Sequence, residues 1–247
     1  MHIINYKTEL NKLVEEAYSL FSAYSFGDSF EVCYGTCCLQ RDDGKLIQIT
    51  ALRYLERKLI YEYLDAAEST DKFALTQQMK YLLPRILEFL ADGEELSINT
   101  EVSLRKCYFS EPQAWKKKEI QFMQNFALIF FEQNALHPSK RYPLDELVIM
   151  FHLSGLDIQP LLDKWINLIQ GHSALMQLVN MLIYDFNYGM YNQAFAEDDL
   201  KKQINQWILN PLNQNMIFHH FIEASDDDTF SESDRELIER AVYQLYP

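Results

Sequence analysis

Cysteine is the residue type in this sequence with the greatest capacity for metal binding or covalent chemistry. Cys33, Cys37 and Cys38 fall within six positions, and Cys107 lies far along the chain. Four thiolates form a complete ligand set for zinc. However, the spacing differs from the paired Cys-x2-Cys of a zinc knuckle, and adjacent cysteines do not readily bind one ion. We therefore expect buried, reduced and inert cysteines, with zinc binding or a reactive thiol at Cys33 or Cys37 as the less favoured alternative.

A histidine pair forms a second candidate site, because His219 and His220 precede Glu223 by four and three positions. On a helix, positions four apart lie on one face, so His219 and Glu223 are suited to supply two ligands to a metal ion. The sequence identifies no third ligand. We therefore predict no cofactor and no metal, and keep these residues as the site of an alternative hypothesis in which the protein is an enzyme.

Carboxylates dominate the charge, because 36 Asp and Glu against 22 Lys and Arg give a formal net charge of −14. Residues 142–247 contain 16 acidic and 5 basic side chains, a net charge of −11, which leaves −3 for residues 1–141. Such an acidic half disfavours nucleic acid, whose phosphates need Lys and Arg, and favours a basic protein partner. The candidate docking residues are the two acidic runs of this half, Glu197-Asp198-Asp199 and Asp226-Asp227-Asp228.

The spacing of apolar residues predicts an all-α protein of about ten helices, arranged as an irregular helical bundle or an α-solenoid. Glycine and proline are sparse, with seven of each, which argues against a β-sandwich or barrel. No fixed repeat is present. In the second half the predicted helices are Leu144–Ser154, Gln159–Gln170, Ala174–Tyr188, Glu197–Leu209, Gln214–Ala224 and Ser231–Tyr246. The exception to the helical pattern is a short β-hairpin predicted near residues 30–49, with Leu46–Ile49 as a strand after the turn Arg41–Gly44.

The strongest helical pattern lies within Asp71–Leu104, where apolar residues recur every three or four positions from Phe73 to Leu90. Pro84 lies inside this pattern, and proline removes a helix hydrogen bond and clashes with the preceding turn. Either one helix bends near Tyr81, or a second helix begins at Pro84. The apolar period continues across Pro84 without a change of phase, which favours one bent helix.

The same stretch carries a resemblance to a known family. The residues Leu82-Leu83-Pro84-Arg85-Ile86-Leu87-Glu88, followed after Gly93 by Thr100-Glu101, resemble a pattern in an uncharacterised bacterial family of helical proteins. In that pattern a cysteine-containing turn precedes the helix, so the resemblance covers Cys33 to Leu104. The resemblance implies a helical fold and a bacterial source, and it implies no activity or site residues.

The segment His137–Pro143 is the clearest linker, because it holds two prolines and two basic residues within seven positions. It separates a predicted N-terminal helical part, residues 1–136, from an acidic C-terminal helical part, residues 144–247, within what we expect to be one continuous domain. We expect no signal peptide, because Lys7, Lys12 and acidic residues interrupt the first apolar residues. No apolar run approaches the roughly 20 residues of a membrane span, so the expected location is the cytoplasm.

These observations favour a non-catalytic interaction protein that presents an acidic surface to a basic partner. One concrete form is an immunity-type inhibitor, which covers a basic toxin in the cell that produces it. This hypothesis is an analogy from acidity, size and the lack of catalytic motifs. The alternatives are an enzyme that uses Cys33, Cys37 or the His219-His220-Glu223 group, and a structural scaffold or oligomeric subunit.

Overall fold

The computed structural model describes residues 5–35, 39–111, 113–138, 141–187 and 189–245. Within these ranges the chain is all-α, as predicted, with eleven α-helices, three single-turn 3-10 helices and one hairpin of two short strands. The predicted linker His137–Pro143 includes Ser139 and Lys140, which lie outside the described residues. Among the residues that the structure describes, no helix combines the length and apolar character that crossing a membrane requires.

The first half of the chain contains five helices and three 3-10 turns. The helices are α1 (Tyr6–Leu20), α2 (Arg41–Ile49), α3 (Arg57–Asp65), α4 (Lys72–Ala91) and α5 (Lys117–Leu136). The 3-10 turns are Leu52–Tyr54, Thr100–Val102 and Arg105–Cys107.

The second half contains six helices and the hairpin. They are α6 (Leu144–Leu153), α7 (Gln159–Leu168), α8 (His172–Tyr184), β1 (Phe186–Asn187), β2 (Met190–Tyr191), α9 (Asp198–Ile208), α10 (Pro211–Asp226) and α11 (Glu232–Leu245). The strands are antiparallel, with Phe186 opposite Tyr191 and Asn187 opposite Met190. Gly189 has a positive φ of 74° in the turn between them, a conformation that glycine adopts without strain.

The chain forms two compact units. The first comprises Met1–Phe130 and Met150–Asp157, and the second comprises Phe131–Ile149 and Ile158–Pro247. The divisions fall at the Phe130–Phe131 and Ile149–Met150 bonds, inside α5 and α6, and at the Asp157–Ile158 bond after α6.

Helix α4 forms the centre of the first unit. The side chain of Asp71 caps its start by accepting a hydrogen bond from the Ala74 amide at 2.9 Å. The helix then runs unbroken through Pro84, which confirms one helix across the proline rather than two. Apart from Phe73, which is half exposed near the start of the helix, most of its large apolar side chains are completely buried, and α4 packs against α1. The fully buried residues of α4 are Leu75, Met79, Leu82, Leu83, Ile86, Leu87 and Leu90.

The β-hairpin predicted near residues 30–49 is wrong. The segment predicted as turn and second strand forms α2 instead, and Val32 and Tyr34 make only isolated bridges, to Glu68 and Leu39. The physical reason lies in the spacing and the charge of this segment. Gly44 and Ile47, three positions apart, are its buried residues, and acidic side chains in the first turn are stabilised by the helix dipole.

The core of the second unit is built from α6, α7, α8 and α11. The residues of α6 that belong to this unit and form its buried side are Leu144, Leu147, Val148 and Ile149, and each is completely buried. Trp165 of α7 lies edge-on to Phe131, with ring centres 5.9 Å apart. Helix α8 packs along α11, so the last helix of the chain completes this core.

Candidate docking surface and groove

The first acidic run, Glu197-Asp198-Asp199, forms the beginning of α9. Glu197 is the N-cap residue, and its carbonyl accepts a hydrogen bond from the Lys201 amide at 2.9 Å. All three side chains are exposed. Negative charge in the first turn of a helix interacts favourably with the helix dipole, so the local structure gains from these carboxylates. Their placement therefore has a structural explanation that needs no partner.

The second acidic run, Asp226-Asp227-Asp228, has the opposite relation to its helix. Asp226 is the last residue of α10 and Asp227 is its C-cap, so both carboxylates lie at the negative end of the helix dipole. All three side chains are exposed. Asp227 accepts a hydrogen bond from the Thr229 amide at 2.8 Å, and the hydrogen bonds from Thr229 lower the pKa of this carboxyl.

The other two members of this run have little compensation. Asp228 lies 3.7 Å from Arg235 but is fully exposed, which makes the ion pair weak. Asp226 makes no side-chain hydrogen bond or ion pair with any residue that the structure describes. Asp226 therefore opposes the dipole of α10 with no compensating contact among the described residues, and such a feature is typical of a functional surface.

Helix α10 exposes four large apolar side chains outside its buried stripe. Ile217, Phe221 and Ala224 form this stripe, at positions four and three apart. Around the rest of the helix, Leu212 is 73% exposed, and Met216, Phe218 and Ile222 are 37–46% exposed. We call these four residues, with Asp226, Asp227 and Asp228, the α10 surface.

Sequence reasoning missed the apolar part of this surface. The helix was predicted over Gln214–Ala224, which is three residues short at its start and two at its end, and no exposed apolar residues were predicted on it. The spacing of the apolar residues could have revealed this surface. A single buried stripe accounts for Ile217, Phe221 and Ala224. It leaves Met216, Phe218 and Ile222 on other faces of the helix.

The histidine pair and Glu223 come together on α10, as the spacing predicts. Glu223 Oε1 lies 3.2 Å from His219 Nε2, and Glu223 Oε2 lies 3.0 Å from His220 Nδ1. Both carboxylate oxygens of Glu223 are thus engaged by the histidines. This arrangement is a cluster of polar contacts on the surface of a helix, since the side chains of His219 and Glu223 are 68% and 56% exposed.

Four thiolates are not available for zinc, which was the less favoured alternative from the sequence. Cys33 is disulfide-bonded, so the expectation of a reduced thiol at this position is wrong, and Cys33 cannot serve as a thiolate ligand. Cys37 and Cys38 lie outside the described residues. Cys107 is a free, fully buried thiol whose pKa is raised by burial, which makes it inert as a nucleophile. Disulfides are typical of oxidising compartments, which weighs against the cytoplasmic location predicted from the sequence.

An open groove lies between the hairpin and α9 and has a volume of about 980 Å³. One wall is Met190, Tyr191 and Asn192, and the other is one face of α9. Asn205 joins the walls, because its side-chain oxygen accepts a hydrogen bond from the Tyr191 amide at 2.7 Å. The residues that α9 and its C-cap contribute are Asp198, Lys201, Lys202, Asn205, Gln206 and Leu209.

The comparisons with known proteins add no functional information. Family models, curated proteins and solved structures give no match to this chain. The resemblance to a bacterial helical family around Pro84 therefore remains a prediction.

The α10 surface and the groove both present groups suited to noncovalent binding. The α10 surface presents apolar contacts beside negative charge, and the groove presents ammonium groups and amides beside apolar side chains. The structure brings together His219, His220 and Glu223, and it places the two acidic runs at the start of α9 and at the end of α10.

Proposed function

We propose that this protein is a non-catalytic interaction domain that binds a basic protein through the α10 surface. The observation that carries the proposal is the presence of exposed apolar side chains on α10 together with Asp226, Asp227 and Asp228 at its C-terminal end. A partner that covered this surface would remove exposed apolar area from water and bring positive charge to Asp226, which has no side-chain partner among the described residues, and to the exposed carboxylates of Asp227 and Asp228.

Charge also selects the class of partner. Helix α10 contains no lysine or arginine, so a second copy of α10 could offer positive charge only through its two histidines, which already contact Glu223. A basic protein offers positive charge, and the excess negative charge of residues 142–247 would accelerate its association. Glu197, Asp198 and Asp199 contribute to this attraction at long range. An immunity-type inhibitor that covers a basic toxin is the concrete form of this function that we favour.

The proposal is tested by capture from the host with purified wild-type protein and with the variant D226N/D227N/D228N. We expect a basic protein that binds the wild type and not the variant, and that is released by high salt. The control variant E197Q/D198N/D199N has the same change in charge but lies at the other acidic run, so it should retain capture. A captured protein that binds both variants equally, or that is acidic, would contradict the proposal.

Binding kinetics of the purified complex then distinguish the contribution of the aspartates from that of the apolar side chains. Neutralising the three aspartates should mainly slow association and reduce its dependence on salt, because peripheral charges act on the encounter. The variant F218S/I222S should mainly accelerate dissociation, by about tenfold or more, because buried apolar anchors hold a complex together. Y243S is the matched control, since Tyr243 is 75% exposed on α11. A dimer of the free protein that F218S/I222S dissociates would assign this surface to a second copy and overturn the basic-partner proposal.

A further inference from the structure

The groove beside α9 has a continuous and ordered lining. Along α9, Asp198, then Lys201 and Lys202, then Asn205 and Gln206, and finally Leu209 follow one another at helical spacing. They therefore form one face of a helix that is about 16 Å long. The volume of about 980 Å³ is in the range of small-molecule sites.

The two lysines of the groove differ from Lys164 and Arg235, two other cations of the second unit. Lys164 lies 3.4 Å from Glu132, and Arg235 lies 3.7 Å from Asp228. By contrast, Lys201 and Lys202 have no carboxylate within 4.0 Å among the residues that the structure describes. Asp198 precedes them by three and four positions, where an ion pair is possible on a helix, yet none forms. The two ammonium groups thus have no ion-pair partner among the described residues, although they lie in the most acidic part of the chain.

Amide groups add further donors to the same groove. The side-chain oxygen of Asn205 is used by the Tyr191 amide, but its nitrogen donates no hydrogen bond within the described part of the chain. Asn192 and Gln206 also line the groove. The apolar contribution comes from Met190, which is 61% exposed, and Leu209, which is 44% exposed. The groove therefore offers positive charge and hydrogen-bond donors together with apolar contact area.

We propose that this groove binds a small organic monoanion, a carboxylate joined to an apolar chain. The carboxylate accepts hydrogen bonds from Lys201 and Lys202, and the chain packs against Met190 and Leu209. Two lysines and Asp198 give the groove a formal charge of +1, which matches one carboxylate better than a polyanion. This site is separate from the α10 surface, and the proposal holds whether or not a basic protein binds there.

The test uses octanoate as the probe, with calorimetry for affinity and residue-resolved NMR for the location of binding. We expect saturable binding that shifts the signals of the groove residues, and at least about tenfold weaker binding of octanol, which lacks the charge. K201Q/K202Q should weaken octanoate binding by at least about tenfold while leaving the unfolding midpoint unchanged.

The matched comparison is K202Q against R240Q. Both remove one exposed cation from the second unit, but Arg240 does not line the groove. K202Q should weaken octanoate binding and R240Q should not. Three outcomes would overturn the proposal: no saturable binding of octanoate, equal affinity for octanol, or equal effects of K202Q and R240Q.

Discussion

Lys80 Nζ and Glu119 Oε2 lie 3.0 Å apart, and their side chains are only 3% and 1% exposed. The pair joins α4 to α5 inside the first unit. Glu119 also accepts hydrogen bonds from the Tyr24 hydroxyl at 2.6 Å and from the Lys116 amide at 2.9 Å. The ammonium group of Lys80 lies over the ring of Trp115, 4.9 Å from its centre. The charges are therefore buried, and each is fully surrounded by partners.

Removal of Lys80 should destabilise the protein strongly. K80M leaves the Glu119 carboxylate buried without its counter-charge, and we expect a loss of about 3–5 kcal/mol in the free energy of unfolding. K116M is the control, because Lys116 Nζ is 3.9 Å from Glu119 but its side chain is 64% exposed. This variant should lose less than about 1 kcal/mol. If K80M and K116M lose the same free energy of unfolding in urea, the buried ion pair contributes no more to stability than the exposed one.

The same pair predicts a dependence on pH. Burial by itself would raise the pKa of Glu119, but hydrogen bonds from Tyr24, Lys116 and Lys80 and the charge of Lys80 outweigh it and lower this pKa. The stabilisation is therefore present above the ordinary glutamate pKa of about 4.3 and is lost as the pH falls through the lower folded value. The stability advantage of the wild type over E119Q should shrink on acidification, and an advantage that grew would contradict this assignment.

Gln78 of α4 uses its whole side-chain amide to hold the loop after α1. Its oxygen accepts from the Glu31 amide at 3.0 Å and the Tyr63 hydroxyl at 2.8 Å. Its nitrogen donates to the carbonyls of Phe26 at 3.2 Å and Ser29 at 2.6 Å. Q78M would remove four hydrogen bonds, two of them buried, so we expect a loss of about 3 kcal/mol by chemical unfolding.

The neighbouring Gln77 supplies the control for Gln78. It is half-buried on the same helix, and no hydrogen bond of its side chain with the described residues is present. Q77M makes the same chemical change and should alter the free energy of unfolding by less than about 0.5 kcal/mol. Faster amide exchange at Glu31 in Q78M, but not in Q77M, would locate the effect in the loop.

Gly155 should tolerate no side chain. Its φ of +89° disfavours other residues, and a Cβ would lie 2.7 Å from the Ser110 amide nitrogen. Gly93 has a similar φ of +77°, but a Cβ at this position would have no atom within 4 Å. We expect G93A to cost about 1 kcal/mol from backbone strain and G155A to cost about 3 kcal/mol from strain and contact together. Similar thermal unfolding midpoints for the two variants would refute the close approach.

Because Lys106 is buried, we expect the free energy of unfolding to change with pH in the alkaline range. Its side chain is almost completely buried, it donates a hydrogen bond to the Leu64 carbonyl, and burial lowers its pKa to about 8. Between this value and the unfolded pKa of about 10.4, the unfolded chain holds more protons, so the free energy of unfolding rises with pH.

The comparison with K106M isolates this lysine. From pH 8 to pH 9.5, the wild type should gain stability relative to K106M, by an amount on the order of 1 kcal/mol. This range lies below the titration of Tyr108, whose pKa is raised to about 12 by burial and by its hydrogen bond to Glu68. A flat difference in urea unfolding across this range would mean that Lys106 keeps an ordinary pKa in the folded protein.

Sequence patterns located most helices because each helix has its own apolar period. The six helices predicted after residue 143 all exist, and α9 begins and ends within one residue of its predicted bounds. The predicted helix Ala174–Tyr188 instead ends at Tyr184, where the hairpin begins. Two-residue strands are too short for a period, and this hairpin depends on Asn205, which comes much later in the sequence.

The candidate surfaces also differ in how far local sequence reveals them. The acidic runs consist of consecutive residues and can be recognised from the sequence, and their side chains are exposed in the structure. The groove requires residues 190–192 to lie beside residues 198–209, which no local pattern specifies. The buried pair of Lys80 and Glu119 was also missed, because lysine and glutamate on helices usually lie in solvent and these two are 39 positions apart.

The division of the chain within α5 and α6 has a consequence for its synthesis. Residues Met150–Asp157 belong to the first unit but are made after Phe131–Ile149 of the second. Within the first unit, the Phe109 amide donates to the Ser154 carbonyl at 2.7 Å, and Gly155 closely approaches Ser110. A nascent chain therefore cannot complete its first unit until residue 157 has left the ribosome. By that time, residues 131–149 of the second unit have already been synthesised.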